Sequence, residues 1–186
     1  MLIELRLKTR RLKPKLVLIC DISTSVRHCA EFMLRLIYEL QDQVARARSF
    51  AFIDRMEEIS GAFEGRRPDA AVKKVLRGLQ PAHYNTDLGA SLAHFFNRSL
   101  DAVDGRTTVI FVGDGRNNFN DPRLDLVDGL RRRARRIVWM NPEPRPLWGT
   151  GDSDMPAYAP LCDHVHQVST LAELAAAVDR LFLPGR

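Results

Sequence analysis

A chain of 186 residues, 45% hydrophobic and 27% charged, has the balance of one ordinary globular domain, which excludes a disordered chain or a fibrous repeat. Its three cysteines are too few and too scattered for a disulfide framework, and no apolar run reaches the roughly 18 to 20 residues that cross a bilayer, so a reducing, cytoplasmic setting is expected. The net charge of +5 gathers at Arg10, Arg11, Lys13 and Lys15 and again at Arg131, Arg132, Arg133, Arg135 and Arg136; with no aromatic platform beside them, these read as a solvated arm and helix face rather than a nucleic-acid surface.

Residues 1–13 are expected to form a basic arm. The opening MLIELRLKTRRLKPK carries charge inside its apolar part and has no small-residue cleavage site, so it does not read as a signal peptide. Leu16 to Cys20 (LVLIC) is a continuous apolar run, as expected of a strand buried on both faces. Glu31 to Val44 places Phe32, Leu36, Ile37, Leu40 and Val44 at helical spacing. Ser49 to Ile53 (SFAFI) reads as the next strand, and Asp69 to Leu79 and Asp87 to Val103 as helices. Thr107 to Val112 (TTVIFV), rich in β-branched residues, is the most strand-like run of all. A basic helix over Leu124 to Arg135 and a strand over Arg136 to Met140 follow, the strand stopped by Asn141-Pro142. Residues 142–160 hold five of the ten prolines with Gly149 and Gly151, and predict a long surface loop. A last short strand is expected within Leu161 to Val168. Thr170 with Glu173 forms a capping box that opens a C-terminal helix through Phe182.

Strands alternating with helices predict an α/β fold: a doubly wound, mainly parallel sheet with helices on both faces. Ligands of such sheets sit beyond the C-terminal ends of the strands. Two strands end there in acidic turns, LVLIC in Asp21-Ile22-Ser23-Thr24-Ser25 and TTVIFV in Gly113-Asp114-Gly115. A hard cation such as Mg²⁺ wants about six oxygens in octahedral array. A turn leaving a strand can aim Asp21, Ser23 and Ser25 at one point, Asp114 can add a second carboxylate, and the loop His83-Tyr84-Asn85-Thr86-Asp87 can add the Thr86 hydroxyl. Two carboxylates among neutral hydroxyls leave such an ion ready to take one more anion, such as a Glu or Asp of a partner.

D-x-S-x-S after an apolar strand, a threonine in a middle loop and an acidic D-G turn after a later strand resemble, in that order, the metal-ion-dependent adhesion site (MIDAS) of the von Willebrand factor A (VWA) domain. The resemblance covers about residues 14–183. Within that fold, LVLICDISTSV after a basic stretch, FAFIDRMEEIS, VIFVGDG and RRARRIVWMNP before a Pro-rich loop are similar to CoxE-like proteins. The resemblance implies a VWA domain with a metal site at Asp21, Ser23, Ser25, Thr86 and Asp114. Mg²⁺ is expected there, with Mn²⁺ or Ca²⁺ as substitutes. It also implies a non-catalytic interaction module that works with a MoxR-type AAA+ ATPase and a client enzyme, in maturation or metal insertion. Tyr84-Asn85 precede Thr86 where the family usually has glycines, and Asn117-Asn118 follow Gly115 where it usually has a bulky residue.

The alternative is a haloacid-dehalogenase-like, Mg²⁺-dependent phosphatase, since LVLICDIS resembles its nucleophile strand and GDGRNN its metal turn. That chemistry needs a second carboxylate two residues after the nucleophile as general acid. Position 23 is serine, and position 118 is asparagine where an acid is expected. Cys162, His164 and His166 match no zinc spacing and read as alternating residues of a short strand. Of the two tryptophans, Trp139 and Trp148, one is expected in the core and Trp148 is a candidate interface anchor.

Overall fold

A computed structural model describes residues 15–23, 34, 46–65, 67–78 and 85–170, with 172, 173, 176, 177 and 180. The arm over residues 1–13, Ser25, most of the helix expected over Glu31 to Val44 and most of the C-terminal helix lie outside these. The described elements are β1 (Lys15–Asp21), β2 (Arg46–Phe52), β3 (Met56–Glu58), α1 (Ser60–Phe63), α2 (Pro68–Gly78), α3 (Leu88–Arg98), β4 (Thr107–Val112), α4 (Leu124–Arg133), β5 (Arg136–Asn141), α5 (Met155–Tyr158) and β6 (His164–Gln167). Single 3₁₀ turns cover Leu100–Ala102, Arg145–Leu147 and Ala159–Leu161.

The six strands form one sheet in the order β3-β2-β1-β4-β5-β6, parallel throughout except at β3. The doubly wound α/β arrangement expected from the alternation is therefore present. Its cause is visible in β1. Leu16, Leu18 and Cys20 join the core on one face, with Val72 and Val75 of α2; Val17 and Ile19 join the core on the other, with Leu92 and Phe95 of α3 and Val127 and Leu130 of α4. A strand covered on both faces loses its polar alternation, which is why LVLIC reads as an unbroken apolar run.

Two elements escape pattern reading. β3 is a three-residue antiparallel edge strand, Met-Glu-Glu, pairing Phe50 with Glu58 and Phe52 with Met56. It is held partly by Arg48, whose Nη2 lies 2.7 Å from Glu58 Oε2. α1 is a single turn, too short to show a period. The stretch 142–160 also departs from expectation. It is not wholly a surface loop: Pro146, Pro156 and Pro160 sit in the first turn, at the second position, of the two 3₁₀ turns here and of α5, and α5 buries Met155 and Tyr158 completely. The capping box is formed, with Glu173 N–H donating to Thr170 Oγ1 at 3.2 Å and Thr170 N–H to Glu173 Oε2 at 3.0 Å.

Trp139 ties the sheet to this stretch. Its ring stacks on Phe111 with centroids 4.9 Å apart and on Tyr158 at 5.0 Å, and its Nε1–H donates to Gly113 O at 2.9 Å. Replacing Trp139 by Ala is expected to cost about 3–5 kcal/mol of unfolding free energy, through the lost packing of a buried aromatic. Trp139→Phe keeps a ring in the stack and is expected to cost far less, much of it the lost hydrogen bond at about 1 kcal/mol. Urea denaturation followed by circular dichroism measures both.

Candidate functional site

Because β1, β2, β4 and β5 run parallel, their C-terminal ends lie along one edge of the sheet. β1 ends at Asp21, whose Cα pairs with Phe52, and β4 ends at Val112, paired with Cys20 on one side and Met140 on the other. Asp21 and the Gly113-Asp114-Gly115 turn are therefore neighbours across the β1–β4 seam. Gly113 makes this possible: a methyl group there would meet Asp21 Cβ at 2.9 Å and Asp21 Oδ2 at 3.5 Å. Gly115 completes the turn at φ +77°, a conformation that favours glycine.

Asp21, Ser23, Thr86 and Asp114 are 3%, 5%, 5% and 1% exposed. Asp21 Oδ1 accepts the Ser23 N–H at 2.7 Å, so the strand exit folds back on its own carboxylate. Asp114 Oδ1 accepts the Arg116 N–H at 2.9 Å in the same way. Side chains of β5 hold the turn from the far side: Trp139 binds the Gly113 carbonyl and Asn141 Nδ2 the Asp114 carbonyl, at 2.9 and 3.0 Å.

Thr86 reaches the same region by a different route. Its loop is fastened to the end of β2 through Asp87 N–H to Ile53 O at 2.8 Å. The Asp87 carboxylate caps α3 by accepting Ala90 N–H at 2.7 Å. The Thr86 carbonyl accepts from both Asn118 Nδ2 and Asn120 Nδ2, each at 3.1 Å, and Asn117 Oδ1 accepts the Leu88 N–H at 2.8 Å. The asparagines that depart from the usual pattern after Gly115 thus serve to hold the middle loop against the Asp114 loop. Of the five residues expected to act together, Asp21, Ser23 and Asp114 are joined through the β1–β4 seam and Thr86 through the asparagines; Ser25 lies outside the described residues.

Composition and spacing did not single out Arg116. Its guanidinium donates from Nε to Glu143 Oε1 at 3.0 Å, from Nη2 to Glu143 Oε2 at 3.2 Å, and from Nη1 to Asp152 Oδ1 at 2.9 Å and Thr150 O at 3.1 Å. It also stands 3.9 Å from Asp114 Oδ2. Arg116 thereby clamps the 142–160 stretch onto the Asp114 turn. No local pattern links position 116 to positions 143 and 152, so only the fold reveals the clamp.

The donor set is all oxygen: two buried carboxylates with hydroxyls near them. Such a set suits a hard cation rather than a soft one. Among the described residues no three His, Cys, Asp or Glu side chains gather as metal ligands, so soft-metal chemistry has no cluster to rest on there. His164 and His166 stack with ring centroids 6.1 Å apart on β6, and burial pushes the Cys162 thiol up to about 12. Trp148 donates its Nε1–H to Glu143 O at 2.9 Å and packs against the core, so it braces the 142–160 stretch. On α4, Arg131, Arg132 and Arg133 fill the exposed last turn, where cations face the negative end of the helix dipole.

Burial first, and the neighbouring Asp114 charge second, push the Asp21 carboxyl up to about 7, against the lowering pull of its bonds with Ser23. In the unfolded chain an aspartate titrates near ~3.9. The folded, metal-free chain therefore holds a proton that the unfolded chain has released. The resulting stability is full below about pH 4 and is lost as pH rises through about 7. In EDTA the melting temperature is expected to fall between about pH 5 and about pH 8, and Asp21→Asn to abolish that fall. The difference between the two proteins also separates Asp21 from His166, whose pKa burial lowers. A decline of equal size in Asp21→Asn would assign it elsewhere.

The family profile described as "VWA domain containing CoxE-like protein" matches residues 1–177. Among solved structures, the chain is similar to proximal thread matrix protein 1 from the mussel byssus with a zinc-occupied MIDAS motif, at 14% identity and TM-score 0.61 over 91% of this chain and 47% of that one. It is similar to a von Willebrand factor type A structure from Catenulispora acidiphila, at 16% identity and TM-score 0.57 over 91% and 42%. The manganese-loaded TRAP protein of Plasmodium vivax is similar at 18% identity and TM-score 0.51 over 80% and 62%. The chain spans less than half the length of the first two, and at these identities the likeness is one of fold. A comparison with curated proteins gives no match.

Proposed function

The chain belongs to the family of VWA-domain-containing CoxE-like proteins, and from that premise we propose that it is a metal-ion-dependent protein-interaction module rather than an enzyme. The observation that carries the reading is the burial of Asp21 and Asp114 side by side at the sheet edge. Two carboxylates there repel one another, and a divalent cation would relieve that repulsion while using the hydroxyls around them. Two solved structures of similar fold, one with a zinc-occupied MIDAS motif and one manganese-loaded, support a divalent ion in this fold.

In this proposal Asp21, Ser23, Ser25, Thr86 and Asp114 are the residues that hold Mg²⁺, with Mn²⁺ or Ca²⁺ as substitutes. When bound, the ion supplies a coordination position for a carboxylate from outside the chain. The rest falls to the protein. Ser23 N–H and Arg116 N–H orient the two carboxylates, and the asparagines fix the Thr86 loop. The partner we propose, from the family likeness, is a MoxR-type AAA+ ATPase together with a client enzyme whose maturation or metal insertion the pair assists. We place this work in the cytoplasm, in keeping with three cysteines too few and scattered for a disulfide framework. The domain proposed for it spans residues 14–183, preceded by the basic arm.

Magnesium is expected to raise the melting temperature of the wild-type chain at about pH 8 and to leave Asp21→Asn unchanged. A ligand that binds only the folded state stabilises it by about 2.7 kcal/mol at a hundredfold excess over Kd. The partnership is tested by a pull-down of the MoxR-type ATPase encoded in the same genome. Retention is expected in Mg²⁺ and loss in EDTA or with Asp21→Ala. Equal retention in all three conditions would overturn the metal-dependent mechanism.

A further inference from the structure

Phe119 is 85% exposed, the most exposed of the large hydrophobic side chains among the described residues. Its backbone is left-handed at φ 59°, directly after Asn118 at φ 50°. A β-carbon makes that region unfavourable, and a phenylalanine gains nothing there from the local hydrogen bonding that lets asparagine tolerate it. Such conformations persist only when the surroundings over-determine them. Here they do. Asn117 N–H donates to Asp152 O and Asn118 N–H to Asp152 Oδ2, both at 3.1 Å, and Asn120 N–H to Asn117 O at 3.0 Å. The two bonds from Asn118 and Asn120 to the Thr86 carbonyl close the loop on its other side.

The loop therefore holds an aromatic ring out in water, from a backbone that glycine would adopt more easily. Neither packing nor turn geometry accounts for the residue. The same loop begins at Asp114 and grips the Thr86 carbonyl, so Phe119 stands on a segment that joins two of the loops bearing the oxygen cluster. An exposed, rigidly presented aromatic beside a site that takes a carboxylate has the form of a recognition anchor. We infer that Phe119 is the apolar half of a two-point contact. Its occupant is an acidic protein segment whose Glu or Asp reaches the oxygen cluster while aliphatic or aromatic side chains next to that acid close over the Phe119 ring. The inference rests on the metal-dependent reading above and adds the chemistry of the partner.

Random peptides displayed on phage, selected on the full chain in Mg²⁺, provide the probe. The expected clones need Mg²⁺, carry an acid with apolar neighbours, and lose at least about tenfold in binding to Phe119→Gly, as for a central aromatic anchor. Phe119→Gly is also expected to melt at the same temperature or higher, because glycine relieves the left-handed backbone. Mg²⁺-dependent acidic clones that lack apolar neighbours and ignore Phe119→Gly overturn this inference and leave the metal-dependent reading standing. Clones indifferent to EDTA and to Asp21→Asn overturn both. A lower melting temperature for Phe119→Gly makes the ring a structural element and overturns the anchor.

Discussion

Two carboxylates buried side by side are an electrostatic liability, and the architecture at this end of the sheet follows from them. Asp21 and Asp114 meet because β1 and β4 are adjacent and parallel, and because Gly113 lets the second turn close against the first. Nothing in packing alone calls for this. Burial and like charge both disfavour the ionised pair, which is the reason Asp21 holds its proton to about 7. An apolar pair at the same positions would give a more stable sheet. The arrangement makes physical sense as a place where positive charge is to be received.

The surrounding polar groups keep the pair in position rather than neutralising it. Backbone N–H groups two residues downstream take one oxygen of each carboxylate. β5 contributes an indole and an amide that pin the Gly113 and Asp114 carbonyls. The asparagines at 117, 118 and 120 bind backbone of the Thr86–Leu88 segment, so the middle loop is fixed by its main chain. Each loop is thus ordered largely through its main chain, and the backbone bonds to Asp21 and Asp114 each take one carboxylate oxygen, Oδ1. Pre-ordering of this kind lowers the cost of assembling a ligand shell.

The long elements and the two acidic turns were legible in the sequence because they rest on local signals. The unbroken apolar run of β1, the helical spacing of α3 and α4, and the glycines around Asp114 each announce themselves within a few residues. β3 and α1 were not legible, since three or four residues cannot display a period and Met-Glu-Glu shows the charge of an edge strand rather than the apolarity of an inner one. The stretch 142–160 misled for a similar reason. Its prolines mark turns correctly, but the burial of Met155 and Tyr158 depends on Trp139 and Phe111, which come from strands elsewhere in the chain. Arg116 and the asparagine cluster were invisible as a unit. Their partners at Thr86, Glu143 and Asp152 are brought to them only by the sheet.

Arg116 bears on how strongly the proposed site would seek an outside ligand. Its guanidinium is committed to Glu143 and Asp152, with Asp114 Oδ2 at 3.9 Å. Part of the Asp114 charge is therefore already answered from within the protein, while Asp21 has only Ser23 as a hydrogen-bond donor pulling its titration down. A divalent cation seated between them would be neutralised less than two full carboxylates imply. In the proposed reading that residual positive charge would draw a partner's carboxylate, and it would depend on how closely the 142–160 stretch holds the guanidinium beside Asp114. The same stretch, through Asp152, fastens the Asn118 backbone beside Phe119. One clamp thus holds both the Asp114 turn and the backbone beside Phe119, so a movement of residues 142–160 would change both at once.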